Sequence, residues 1–174
     1  MPVYIAGSEG HVFVCIHGAG HSAMSFAVVA QTLKATSTVV AFDWRGHGDH
    51  NREDETNMSQ PTLINDAIEV LAFVHEQFPT KTLVLVGHSM GGAMATKVVD
   101  YLEKEMPNSD LKKCVQGCVI IDVVEGTAME ALPFMERIVI QRPVHFPDLQ
   151  SVVKYGVMSG QVKDIRSARV SMPA

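Results

Sequence analysis

Ser89 lies in the pentapeptide Gly87-His88-Ser89-Met90-Gly91. A serine hydroxyl attacks a carbonyl only when a base takes its proton and its geometry exposes it. G-x-S-x-G supplies the geometry when it joins a strand to a helix. The residues two before and two after the serine crowd there, so both must lack a Cβ, and the hydroxyl stands clear of the sheet. Residues 83–86 (LVLV) are a short apolar run suited to a buried strand. From Gly91 onward the spacing is helical, with Ala95, Val98, Val99 and Leu102 on one side. The N–H groups at the start of that helix point toward the serine and favour negative charge developing there. The arrangement implies acyl transfer with Ser89 as nucleophile. Outside a strand–helix context, the same five residues would be a glycine-rich turn with an idle serine.

Such a nucleophile needs an acid and a base, and in elbows of this kind the chain order is serine, acid, histidine. Asp43 comes before Ser89 and fits poorly. Asp122 follows it and ends the apolar run 115–121 (VQGCVII), where a carboxylate emerges at the sheet rim; Glu125 is close enough to compete. The base is harder to find. His17, His21, His47 and His50 all precede the serine, and His88 is its neighbour on a turn that sends adjacent side chains apart. His145 is the one histidine after Asp122, in the proline-flanked link RPVHFPD. It is a candidate base or simply a surface histidine.

The segment IHGAGHS, residues 16–22, admits two readings. Gly18, Gly20 and Ala23 fit G-x-G-x-x-A, with Asp43 about 20 residues on, which is a dinucleotide-binding fingerprint. Alternatively, residues 17–20 form an oxyanion loop beside Ser89. The second reading uses both motifs in one site and is preferred, so no nicotinamide cofactor is expected. The four early histidines do not suggest a metal. H-x-x-x-H is interrupted by glycines, and no glutamate stands between the two as on a zinc-protease helix. Asp43 to Gly48 (DWRGHG) reads as a turn held by an Asp–Arg pair and two glycines.

These residues must be held by alternating elements. Strands are expected over 11–16 and 37–42, with Tyr4 and Ile5 ending an earlier one, then over 83–86 and 115–121. Helical spacing covers 23–33. A further helix begins at Pro61 with Ile64, Ala67, Ile68, Leu71 and Phe78 inward. Residues 50–60 and 106–113 read as loops. Strand–helix alternation implies α/β architecture, a parallel sheet covered on both faces. Beyond Glu125 the pattern changes to helices over 129–140 and 149–158, so residues 1–125 are expected to form the core and 126–174 a helical cap segment. The 174 residues suffice for one domain. No run approaches a membrane span, the N-terminus carries no signal-peptide pattern, and a net charge of −5 argues against nucleic acid. Cys15, Cys114 and Cys118 have no zinc-like spacing and read as reduced thiols in or near the core of an intracellular protein.

HGAGHSAMSFA, GHSMGGAMA, IIDVVEGTAMEAL and SGQVKDIRSARVSM together resemble the protein phosphatase methylesterases, a branch of the α/β-hydrolases. The likeness runs over nearly the whole chain, with an extra loop near residues 105–113. IDVVEGTAM and SARVSM are more specific than the elbow. The resemblance implies an α/β-hydrolase fold, Ser89 as nucleophile, Asp122 as triad acid, and the N–H groups of Ala19 and Met90 as the oxyanion hole. It implies removal of the methyl ester from the C-terminal leucine of the type 2A protein phosphatase catalytic subunit. No cofactor is needed, the partner is that methylated tail, and the location is cytoplasmic or also nuclear. Members of the branch continue past SARVSM, and their triad histidine lies near their C-terminus. Nothing here matches that part, so the expectation is an incomplete, inactive version lacking the base and part of the sheet. A small-molecule carboxylesterase and a non-catalytic binding module are the alternatives.

Overall fold

The computed structural model describes residues 1–49, 56–122, 133, 134, 137 and 139–174. Five strands form one sheet in the order β1-β3-β2-β4-β5: β1 Val3–Ala6, β2 Val12–Ile16, β3 Thr38–Phe42, β4 Leu83–His88 and β5 Val115–Ile121. The pairs β2–β3, β2–β4 and β4–β5 are parallel, while β1 lies antiparallel on the β3 edge. A 3-10 turn, Ala23–Phe26, leads into α1 (Ala27–Leu33); then come α2 (Gln60–Gln77), α3 (Met90–Glu105), α4 (Asp110–Cys114), α5 (Leu149–Met158) and α6 (Ile165–Ser171).

The two-residue period of the strands divides the core between two faces. Val12, Val14 and Ile16 of β2 turn toward Leu63, Ala67 and Leu71 of α2 and Ala95, Val98 and Leu102 of α3. Cys15, Val39 and Ala41 turn the other way, onto Ala23, Phe26, Ala30 and Leu33. Each fully buried leucine or valine contributes roughly 1.5–3 kcal/mol relative to exposure. Helices therefore cover both faces, as the alternation predicts. On the α1 side, α6 adds a further layer with Ala168 fully buried.

Three elements differ from their sequence reading. The apolar run of β5 reads as a buried strand, yet Val119, Ile120 and Ile121 are 46%, 46% and 43% exposed, at the edge beyond which part of the sheet was expected to be lacking. Among the described residues β5 is paired on one side only, so an apolar run that suits a central strand stands at an edge. Residues 106–113 contain a helical turn: the Ser109 hydroxyl accepts from Lys112 N–H at 3.2 Å and caps α4. The helix expected over 23–33 begins as a 3-10 turn. The expected helix over 129–140 falls mostly outside the described residues, as do Glu125 and the boundary between the two expected segments, whereas α5 has the limits read from sequence. Cys15 is buried, Cys114 half-buried and Cys118, on the open strand, exposed; all three are free thiols.

Candidate active site

Four parallel strands end on one rim, and the residues that follow them meet there. β4 ends at His88, and Ser89 turns the chain into α3 with φ 51° and ψ −122°. Few non-glycine residues adopt a positive φ, and where one does so at a site it stores strain. Both glycines are required, though for different reasons. A Cβ on Gly87 would come 2.3 Å from the Gly91 carbonyl oxygen, the crowding expected within the pentapeptide. A Cβ on Gly91 would instead come 2.1 Å from the carbonyl oxygen of Ile16, at the end of β2. The elbow is thus packed against the neighbouring strand. Ser89 N–H donates to the Ile121 carbonyl at 2.9 Å, which ties the elbow to the end of β5.

Asp122 follows Ile121 directly and also has a positive φ, 55°. His88 and Ile121 are in register, so β4 and β5 deliver Ser89 and Asp122 side by side. The Asp122 side chain is 82% exposed, with Oδ2 4.0 Å from His88 Nε2. Among the described residues no histidine is hydrogen-bonded to Ser89 or to Asp122. His145 is exposed, in the link before α5, and makes no hydrogen bond or ion pair among the described residues. His50 and Glu125 lie outside the described residues.

The loop after β2 lies over the serine. A Cβ on Gly18 would be 3.0 Å from Ser89 Cβ and 3.1 Å from His88 Nδ1, so only a bare backbone fits. Two histidines fix this loop. His17 is buried and its Nε2 receives Trp44 N–H at 3.1 Å, so its proton must sit on Nδ1, which donates to the Gly18 carbonyl at 2.8 Å. Trp44 Nε1–H donates to the His17 carbonyl at 3.2 Å. His47 Nε2 accepts Gly20 N–H at 3.0 Å, and its Nδ1–H donates to the Arg45 carbonyl at 2.9 Å. Ala19 lies between the two fixed glycines, and its N–H has no hydrogen-bond acceptor among the described residues. Met90, first residue of α3, keeps its N–H out of the intrahelical ladder, while Gly92 and Ala93 N–H both bond the Ser89 carbonyl. These are the two N–H groups that the resemblance named as the oxyanion hole.

Asp43, at the end of β3, is fully committed to structure. Its carboxylate accepts Ala23 N–H at 2.7 Å and Asp49 N–H at 3.2 Å, and it takes the Tyr4 hydroxyl at 3.3 Å. The dinucleotide reading thereby loses its acidic residue. The Asp–Arg pair expected within residues 43–48 is also corrected. Arg45 forks onto Asp66 of α2, at 2.6 and 2.8 Å, and both side chains are buried. Burial lowers the pKa of His17 to about 4 and also lowers that of His21, where burial is followed by the nearby His88, Arg142 and His47. The His21 and His88 rings meet edge to face at 5.6 Å. The roles of His17 and His47 as loop ties, the Arg45–Asp66 fork and an Arg142 guanidinium above Gly20 were not read from sequence. A histidine one residue beyond a strand was the only available signal, for His17. Among the described residues no group of three or more His, Cys, Asp or Glu is placed to hold a metal, and no helix is long and apolar enough to cross a membrane.

Comparison with known proteins agrees with this geometry. The profile of a family described as the alpha/beta hydrolase family matches residues 13–169. Protein phosphatase methylesterase 1 from Bos taurus is 38% identical over 172 residues, covering 98% of this chain and 43% of the relative. The Homo sapiens protein of the same name is 38% identical, covering 98% and 42%. The chain thus spans less than half the length of the curated relatives it matches. Among solved structures, E-2-(acetamidomethylene)succinate hydrolase superposes with a TM-score of 0.71 at 22% identity, covering 97% of this chain and 57% of that one. At that identity the likeness concerns the fold alone.

Proposed function

The chain belongs to the alpha/beta hydrolase family, and from that membership we propose that its site is built for serine-dependent hydrolysis of a carboxylic ester. The observation that carries the proposal is the joint placement of Ser89, Asp122 and the unbonded Ala19 N–H at one rim. Ser89 Oγ attacks the ester carbonyl as a histidine takes its proton. The carbonyl oxygen, now negative, is met by the N–H groups of Ala19 and Met90. Each such donor contributes about 3–4 kcal/mol to the transition state. The histidine then protonates the leaving alkoxide, and water repeats the attack on the acyl-serine. Asp122 orients the histidine and stabilises its cation.

Within that chemistry we assign the substrate by similarity to the methylesterases. It is the methyl ester on the C-terminal leucine of the type 2A protein phosphatase catalytic subunit, released as methanol. The partner is that methylated tail, and the proposed compartment is the cytoplasm, or also the nucleus. The direct test is methanol release from a methylated tail peptide, with the bovine relative as reference and Ser89→Ala as control. Turnover that survives Ser89→Ala overturns the reading.

One observation favours a second reading. No described histidine connects Ser89 with Asp122, and without a base the hydroxyl stays protonated. Tail binding by the 174-residue chain with no methanol release would support a binding module, and release at the reference rate would exclude it.

A further inference from the structure

Arg142 lies beside the oxyanion loop and has no assigned role. A Cβ on Gly20 would come 2.9 Å from its Nη1, so the guanidinium rests directly on the Gly20 backbone. Among the described residues its side chain makes no hydrogen bond or ion pair. It borders a cavity of about 170 Å³ together with Gly20, His21, Phe146, Tyr155 and Met172. The Phe146 and Tyr155 rings stand 5.3 Å apart and form an aromatic wall. Sites for whole small-molecule ligands enclose roughly 300–1,000 Å³, so this cavity suits a single side chain or terminal group.

We propose that Arg142 is a specificity residue of this site and receives a carboxylate carried by the substrate chain next to the scissile ester. The proposal rests on the ester-hydrolase reading and extends it to recognition. A planar guanidinium with free N–H groups matches a carboxylate fork to fork. Among the described residues it is the one cationic side chain on the border of a cavity that Ala174, the last residue, also lines, and His21 stays neutral beside it, which suits a monoanion better than a doubly charged phosphate. The position also fits. Gly18 touches Ser89, and Gly20 is two residues on, a span of at most about 7 Å. The path from Ser89 through Gly18 and Gly20 thus places a group on Arg142 within a few residues' length of the acyl carbon. The aromatic wall packs the short apolar arm that bears the charge.

The carboxylate is an acidic side chain neighbouring the ester, because the free terminus left after hydrolysis is the acyl carbon itself and lies at Ser89. Three short peptides test this: one with an acidic side chain and an amidated terminus, one neutral with a free terminus, and one neutral and amidated. Each is titrated into the 174-residue chain by calorimetry or NMR. The acidic-side-chain peptide should bind about tenfold more tightly than the neutral amide, and a gain confined to the free-terminus peptide overturns the proposal. Arg142→Gln should abolish the preference and Arg142→Lys should retain part of it, with unchanged far-UV circular dichroism in both. Equal behaviour of the three peptides, including no binding by any, overturns the proposal, as does a preference that persists in Arg142→Gln. The titration needs no turnover, so the assignment of Ser89 stands or falls separately on methanol release.

Discussion

Protonating His17 would set two donors against each other, because its Nε2 already faces Trp44 N–H. The buried ring therefore stays neutral, with its pKa lowered to about 4 from an unfolded value of 6.5. Between those values the unfolded chain binds a proton that the folded chain refuses. The contribution is intact above pH 6.5 and is lost as pH falls toward 4, by about 1.4 kcal/mol per pH unit, on the order of 3 kcal/mol in all. Urea midpoints measured across this window should fall with pH, and His17→Gln should flatten the slope; an unchanged slope would show that His17 does not tie the loop. For the reacting residues, turnover is the measure. In a form of the protein that releases methanol, Ser89→Ala should cost on the order of 10⁶ in kcat. Asp122→Asn should cost about 10⁴ by favouring the wrong histidine tautomer, and Glu125→Gln far less. The opposite ranking of Asp122 and Glu125 would reassign the acid. Ser89 was legible in sequence because backbone geometry forces two glycines around it. The Trp44 partner of His17 was not, because it lies 27 positions away, just beyond the end of β3.

The elbow as an element depends on how closely β2 approaches it. Gly91→Ala would push a methyl group against the Ile16 carbonyl, whereas Gly117→Ala in β5 finds its nearest neighbour, Val84 Cγ1, at 3.4 Å. Gly91→Ala should destabilise by about 1–3 kcal/mol or more, and Gly117→Ala should stay within about 0.5 kcal/mol. Chemical denaturation compares them directly, and equal effects would refute the close contact. Most strands were readable from their apolar runs, because a strand covered on both faces has few polar positions to disguise it. β5 was read as a buried strand for the same reason, although part of the sheet beyond it was already expected to be lacking. Val119, Ile120 and Ile121 have the composition of a covered strand, and composition carries no information about whether a neighbour is present. The turn Asp110–Cys114, capped by Ser109, was missed because five residues are too few to establish a helical period.

At the scale of the whole molecule, the side of β5 left unpaired among the described residues should govern behaviour in solution. An apolar edge is a template for pairing with another chain. Ile120→Lys should reduce light scattering of the concentrated chain with little change in its melting temperature, since Ile120 is already 46% exposed. Undiminished scattering would locate the association elsewhere. The same edge has a thermodynamic consequence for the site. Among the described residues β5 is bonded only to β4; it ends in the Ile121 carbonyl that holds Ser89 N–H and leads directly into Asp122. Detaching this one strand removes the acid and releases the serine while β2, β3 and β4 remain joined. Such an opening costs less than global unfolding. Amides of β5 should then exchange with deuterium faster than those of β2, and similar rates would contradict this. The fraction of molecules with an assembled site would be smaller than the folded fraction. A spectroscopically native sample would thus be a mixture of competent and incompetent molecules, in a ratio set by one strand.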